Sequence, residues 1–136
     1  MTINLAKSAI DLGIVVSDGE RALAFYRDVV GFSHEADVPM PLGGGGTMHR
    51  LWCGDSLIKL VDLNTTPEAD DAAGIVGRQG YRYFTITVSN LDEVVAKCEA
   101  AGAPIPVPIS EVRPGVRIAM VEDPDGNWVE FLQTAA

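Results

Sequence analysis

Four residues combine chemically useful side chains with a regular spacing: Asp11, Lys59, Tyr83 and Glu130. Carboxylates can exchange protons, a lysine supplies positive charge, and a tyrosine hydroxyl can donate a hydrogen bond to an oxyanion. The two pairs are offset by 72 and 71 residues (83 − 11 and 130 − 59). Such nearly equal offsets indicate a repeated structural unit that places both pairs in equivalent positions.

The elements that would position these residues also repeat. The apolar segment "AIDLGIVVS" predicts a strand, and "DGERALAFYRDVVG" predicts a helix capped by Asp18 and ended by Gly31. In the second half, "YRYFTITVS" predicts a strand and "NLDEVVAKCEAAG" a helix from Asn90 to Gly102. Both helices carry an apolar stripe with helical spacing, formed by Ala22, Phe25, Tyr26 and Val29 and by Leu91, Val94, Val95 and Cys98.

A β-hairpin is predicted after each helix. Gly54 and Asp55 suit a two-residue loop in the first hairpin, and Asp123 to Gly126 suits a type I turn in the second. The segment "IPVPIS" predicts an irregular edge strand, since proline cannot donate to a ladder. "PLGGGG" predicts a mobile loop at a pocket mouth, residues 64–80 a connector, and segments 35–47 and 62–80 loops of unassigned position.

Alternation along the strands divides their side chains between two faces. One face is apolar and predicts the core beneath the helices; it contains Leu12, Ile14, Val16, Ile58, Leu60, Phe84, Ile86, Val88, Val129 and Phe131. The other face is mixed and carries Asp11, Lys59, Tyr83 and Glu130. Polar groups that converge within an apolar concavity are typical of a small-molecule pocket.

Two copies of strand, helix and hairpin resemble the vicinal oxygen chelate family of glyoxalases, bleomycin-resistance proteins and extradiol dioxygenases. The most specific matching segments are "VVSDGERALAFYRDVVGF" and "VEDPDGNWVEF". The resemblance implies an α+β fold in which two βαβββ modules form a curled mixed sheet around a concave pocket, with helices outside. It implies one domain over residues 1–136, with modules at about 8–63 and 80–133, and a homodimer.

In metal-dependent members of that family, the four positions hold His, Gln or Glu ligands. Here Glu130 matches a ligand type and Asp11 could replace one, whereas Tyr83 is a poor substitute and protonated Lys59 has no lone pair. We therefore favour no cofactor, although a divalent metal on Glu130 and Asp11 is the alternative. Lys59, held protonated by the two carboxylates or made a proton-transfer group by desolvation, could replace the metal charge; equally, the group could be a chemically idle buried ion pair.

Further substrate-binding candidates surround these positions. If Cys53 pairs with Ser56 across the first hairpin, Arg50 faces Lys59 on the pocket side and His49 points towards the helices; a one-residue shift would bring His49 into the pocket. His34 is predicted to face solvent. The substrate-binding candidates are Arg50, Trp52, Trp128, Arg113 and His49.

Composition limits the possible partners. The 136 residues carry a net charge of −9, which disfavours nucleic acid and anionic lipid, and no apolar run approaches the roughly 20 residues of a membrane helix. With no CxxC pair and no signal-like opening, the cytoplasm is the expected location. The first functional hypothesis is proton-transfer chemistry of the isomerase, epimerase or lyase type on an oxygenated substrate. The second is sequestration of an aromatic or cationic compound, as in bleomycin-resistance proteins.

Overall fold

The computed structural model describes residues 2–70 and 74–135. The chain divides into two compact units, Met1–Pro67 and Glu68–Ala136, here called module 1 and module 2. The module bounds predicted from the repeat each lie inside one of these units. Residues 71–73 of the predicted connector lie outside the described residues.

Module 1 contains one helical stretch and four strands. Its elements are β1 (Leu12–Val15), α1 (Gly19–Leu23), a π-helical segment (Ala24–Val30), β2 (Ser33–Pro39), β3 (Gly46–Cys53) and β4 (Ser56–Leu63). The sheet order is β1-β4-β3-β2. Strand β1 pairs parallel with β4, and the other pairs are antiparallel.

Module 2 repeats this arrangement. Its elements are β5 (Tyr83–Thr87), α2 (Leu91–Ala100), β6 (Val107–Arg113), β7 (Val116–Glu122) and β8 (Trp128–Thr134). The sheet order is β5-β8-β7-β6, again with the first and last strands parallel. The two βαβββ modules and the α+β class predicted from the sequence are confirmed.

The helix ends agree in part with the capping signals. Asp18 accepts hydrogen bonds from the backbone N–H groups of Glu20 and Arg21, as predicted, and Gly31 ends the π-helical segment with φ of 96°. At α2, Asn90 occupies the predicted N-cap position, but its side chain makes no capping hydrogen bond; Gln133 Oε1 accepts from the Leu91 N–H at 2.9 Å. No helix within the described residues has the length and apolarity needed to cross a membrane.

On the central strands β4 and β8 the predicted core face is buried, although Leu57 and Val61 on the opposite face of β4 are buried too. Ile58, Leu60, Val129 and Phe131 are at most 4% exposed, as expected for the core face. Lys59 and Glu130, between these residues in sequence, are half-buried on the opposite face. We call that surface the polar face of each module.

Of the edge strands, β2 was not predicted from the sequence. Segment 35–47 had no assigned position, yet Ser33–Pro39 forms edge strand β2, and the glycine-rich loop joins it to β3. Its mixed composition and a register shift between His34 and Ala36 hide the alternation on which strand prediction depends. Strand β6 is the irregular edge strand that "IPVPIS" predicted, with two register shifts.

Asp123 holds the turn that leads into β8. Its carboxylate is 3% exposed and accepts hydrogen bonds at 2.9 Å from the backbone N–H groups of Asp125 and Asn127 and from the Asn127 side chain. The Gly126 N–H also donates to the Asp123 carbonyl at 3.0 Å, which closes the predicted four-residue turn. This one side chain therefore fixes where β8 begins.

We expect Asp123→Ala to lower the free energy of unfolding by about 2–3 kcal/mol, because three donors lose a charged, buried acceptor. Urea denaturation followed by circular dichroism measures this change. The matched control is Asp55→Ala in the exposed turn of the first hairpin, with an expected change within about 0.5 kcal/mol. Equal losses in both variants would show that the Asp123 hydrogen bonds do not stabilise the fold.

Candidate functional site

Lys59 lies at the centre of the polar face of module 1. It is directly opposite Gly13 on the parallel strand β1 and Arg50 on the antiparallel strand β3, in the register predicted from the Cys53–Ser56 pairing. A Cβ atom built on Gly13 would meet nothing within 4 Å. The lysine side chain therefore has open space on its β1 side.

The neighbouring cation, Arg50, is already neutralised. Its Nε donates to Glu35 Oε2 at 2.7 Å, and the Trp52 indole N–H donates to Glu35 Oε1 at 3.1 Å. The Arg50 guanidinium, with help from the indole, lowers the pKa of Glu35 below its usual range. Glu35 lay in the segment without an assigned position, so sequence analysis missed this organising carboxylate.

Asp11 does not form the ion pair with Lys59 that the sequence suggested. Its Oδ1 accepts hydrogen bonds from Lys7 Nζ at 2.7 Å and from the Leu57 backbone N–H at 2.8 Å. The Lys7 hydrogen bond, followed by that of Leu57, lowers the pKa of Asp11, and the charge of Lys59 adds a smaller effect. Asp11 thus joins the segment before β1 to the start of β4, and the ion-pair prediction is wrong.

Within the described part of module 1, no side chain forms an ion pair or hydrogen bond with Lys59. Asp11, its predicted partner in this module, binds Lys7 instead, and the Glu35 carboxylate binds Arg50. Lys59 is consequently a half-buried cation whose charge is not locally paired in its own module.

Glu130 occupies the equivalent position in module 2. It lies opposite Thr85 on β5, whose hydroxyl donates to Glu130 Oε1 at 2.6 Å. Tyr83 lies two residues before Thr85 on β5 and is 47% exposed. Thr85 corresponds to Gly13 in the repeat (85 − 13 = 72), so one module gives its central residue a hydroxyl partner and the other gives it space.

Two tryptophans are fixed on the polar faces by carboxylates. The Trp128 N–H donates to Glu122 Oε1 at 3.2 Å, much as Trp52 donates to Glu35. Lys7 Nζ lies 5.2 Å from the centroid of the Trp52 ring, within the range of a cation–π contact. Arg113, the remaining substrate-binding candidate, is exposed at the end of β6.

The predicted positions do not suit a metal ion in either module. In module 1, Lys59 offers no lone pair while protonated, and Asp11 is used by Lys7 and a backbone amide. In module 2, Glu130 has a phenol as its counterpart, which is a weak ligand. The donor atoms at these four positions therefore do not form a suitable ligand set for a metal ion.

A second polar cluster lies on the other face of module 1. His49 pairs with Leu60 of the core face, and its Nε2 would be 2.6 Å from a Cβ built on Gly19, so the ring points towards the helix and does not line the polar face. His34 is not solvent-facing as predicted: it contacts Asp37 Oδ1 at 2.6 Å, and Arg27 donates to its Nδ1 at 3.3 Å. No periodic signal marked Asp37, which sequence analysis missed.

The family comparison covers most of the chain. Residues 9–131 match the model of the Glyoxalase/Bleomycin resistance protein/Dioxygenase superfamily. No curated protein sequence matches at a significant level.

Solved structures share the fold. A glyoxalase family protein from Bacillus cereus has a TM-score of 0.82 at 19% identity and covers 99% of this chain and 98% of its own. TnmS3, an antibiotic binding protein from Streptomyces sp. CB03234, has a TM-score of 0.69 at 28% identity, with 97% and 100% covered. The trypanothione-dependent glyoxalase I of Leishmania major has a TM-score of 0.69 at 25% identity, with 90% and 84% covered.

The contacts of Asp11 predict a pH-dependent contribution to stability. Because its pKa is lowered from 3.8 in the folded chain, its ionised form stabilises the fold above pH 3.8, and this stabilisation disappears as pH falls through the folded-state pKa. We expect Asp11→Asn to reduce the melting temperature at pH 7 and to have a smaller effect near pH 3, measured by thermal denaturation. Lys7→Met should reproduce part of the loss at pH 7; an Asp11→Asn effect that is the same at both pH values would contradict the assignment.

Proposed function

The chain belongs to the glyoxalase/bleomycin resistance protein/dioxygenase superfamily, and from that membership we propose that it binds a small oxygenated molecule on the polar face of module 1, with Lys59 contacting an oxygen of the ligand. The observation that carries this proposal is the state of Lys59. It is half-buried and has no ion-pair partner in the described part of its module.

A cation in such a place favours an electron-rich ligand atom. Partial removal from water strengthens its electrostatic interactions, and an ammonium group can donate up to three hydrogen bonds. Gly13 leaves space on one side of Lys59, and the Glu35-neutralised Arg50 lies on the other. A carboxylate, phenolate or polarised carbonyl oxygen would meet one unpaired positive charge and no competing anion from these neighbours.

The same face carries the Trp52 indole, over which Lys7 Nζ lies 5.2 Å from the ring centroid. Trp52 follows Arg50 by two residues on β3, so both side chains lie on the polar face, and Glu35 fixes the indole orientation. A ring held by a hydrogen bond loses little further freedom when a ligand stacks on it. These features favour an aromatic or otherwise planar ligand that carries an oxygen.

Binding without turnover is the form of this function that the geometry supports best. Asp11, a predicted acid–base group, is used to join two strands, and Glu35 is used to hold Arg50 and Trp52. The 28% identity with an antibiotic binding protein over nearly the whole length agrees with a binding role.

Proton-transfer chemistry is a second candidate because of Glu130. Thr85 donates to Oε1, while Oε2 has no hydrogen bond from the described residues of module 2. A half-buried carboxylate with one unoccupied oxygen can accept a proton from a bound substrate. The 25% identity with a glyoxalase I is compatible with this alternative.

We expect Lys59→Met to weaken binding of oxygenated aromatic probes such as salicylate and catechol by about 10- to 100-fold, because a charge-assisted hydrogen bond is lost. NMR titration of the labelled protein measures the affinity and shows which strands respond. Lys97→Met on the exposed side of α2 is the matched control and should bind as the parent protein does. Undiminished affinity in Lys59→Met would refute the proposed role of this lysine.

Turnover is tested separately with Glu130→Gln, which keeps the size of the side chain and removes its basicity. If Glu130 is a general base, the parent protein will exchange the α-protons of a small hydroxy ketone such as dihydroxyacetone with deuterated solvent, and the variant will lose at least about 100-fold of that rate. NMR detects the exchange. A parent protein that binds the aromatic probes and exchanges no protons on the hydroxy ketone would leave binding as the function.

A further inference from the structure

We propose that His34, Asp37 and His49 form a binding site for a divalent transition metal ion of the zinc type, at the β2–β3 edge of module 1. One potential ligand atom from each residue lies within 4.8 Å of the other two. Two imidazoles and one carboxylate suit zinc and its neighbours in the transition series, whereas magnesium and calcium prefer oxygen ligands alone.

A β-bulge at Glu35 brings the three side chains to one face. His34 and Asp37 are three positions apart, which in a regular strand places them on opposite faces. The register shift between His34 and Ala36 instead sets His34 opposite Leu51 and Asp37 opposite His49. Because Leu51 and His49 are two residues apart on β3, all of these side chains face the helix side of the sheet.

In this cluster, one carboxylate oxygen already contacts both imidazole rings. Asp37 Oδ1 lies 2.6 Å from His34 Nε2 and 2.7 Å from His49 Nδ1. Because both ring nitrogens lie within hydrogen-bond distance of this one oxygen, the carboxylate is the acceptor and both rings donate to it. A cation can bind the same three atoms once the proton of each ring has moved to its other nitrogen, which keeps both imidazoles neutral.

Small side-chain movements would complete the coordination. Zinc bonds to nitrogen and oxygen of about 2.0–2.2 Å place tetrahedral ligands about 3.3 Å apart, so each 2.6–2.7 Å contact must open by roughly 0.7 Å. The two ring nitrogens, which lie within 4.8 Å of each other, must adopt the same separation. The side chain of Asp37 is 48% exposed and that of His34 is 22% exposed, which leaves both free to move, while His49 at 9% is held by its surroundings. Water from the exposed side would supply the remaining ligand.

Metal binding requires Arg27 to give up its hydrogen bond to His34. It donates to His34 Nδ1, so that nitrogen is unprotonated and Nε2 carries the ring proton. Coordination through Nε2 moves the proton to Nδ1, and Arg27 must then release the ring. Arg27 retains a counterion because its Nε and Nη2 bind the Asp28 carboxylate at 2.8 and 3.2 Å.

This site is separate from the proposed ligand-binding face. His49 lies opposite Leu60 of the core face, whereas Lys59 lies opposite Arg50 on the polar face. None of the three residues occupies a position of the Asp11, Lys59, Tyr83 and Glu130 set. Metal binding here would brace the β2–β3 hairpin of module 1, and failure of either proposal leaves the other standing.

Calorimetric titration of the metal-free full chain with Zn²⁺ tests the site, and Co²⁺ provides a visible absorption spectrum that reports nitrogen ligation. We expect one ion per chain and a rise in melting temperature with added Zn²⁺. His34→Gln and Asp37→Asn should each weaken Zn²⁺ affinity by at least about 10-fold. Circular dichroism establishes whether each variant is folded; His34→Gln, at the more exposed histidine, decides the result if Asp37→Asn does not fold.

Two matched controls locate the ion. Glu35→Gln changes a carboxylate that lies between His34 and Asp37 in sequence but makes its contacts on the polar face. Glu130→Gln changes the carboxylate that binds Thr85 in module 2. Both should bind Zn²⁺ within about twofold of the parent protein. The proposal is overturned if the parent binds no Zn²⁺, if His34→Gln and Asp37→Asn bind it as the parent does, or if Glu130→Gln alone loses it.

Discussion

The parallel pairing of the first and last strands is the constraint on which each module depends. It places β4 and β8 in the interior of their sheets, paired on both sides, so that no residue along them can leave the ladder without breaking hydrogen bonds. Alternation then sends Leu60 and Phe131 into the core and Lys59 and Glu130 to the polar face. The position of each central functional group is therefore fixed by the backbone, and its chemistry depends on its neighbours.

Those neighbours differ between the modules. Thr85 gives Glu130 a short hydrogen bond, whereas Gly13 leaves Lys59 with space. The remaining carboxylates of the polar faces stabilise other groups: Asp11 holds Lys7 and a backbone amide, and Glu35 and Glu122 hold indole N–H groups. A chain with a net charge of −9 thus keeps one half-buried lysine locally unpaired, and this contrast is the basis for assigning that lysine to a ligand.

The bulge in β2 gives an edge strand two roles. The extra residue, Glu35, contacts Arg50 and Trp52 on the polar face. On the helix side, Asp37 contacts His49, and His34 contacts the same Asp37 carboxylate. One inserted residue thereby organises the proposed ligand-binding face and brings together the proposed metal ligands, because it changes which side chains share a face.

The sequence by itself determined the repeated βαβββ order, the Asp18 cap, the hairpin register and the division of the central strands into two faces. These features follow from local periodicity, turn chemistry and the internal repeat, all of which can be recognised directly in the sequence. The homodimer and the cytoplasmic location stay predictions. Only the tertiary structure decided that Asp11 binds Lys7, that the Gln133 side chain accepts from the first N–H of α2, and that His34, Asp37 and His49 converge. Gln133 is 42 residues from Leu91 in sequence, and the two histidines and Asp37 converge because of a bulge. Lys7 is only four residues from Asp11, but it lies outside any helix or strand. None of these contacts leaves a periodic signal in the chain.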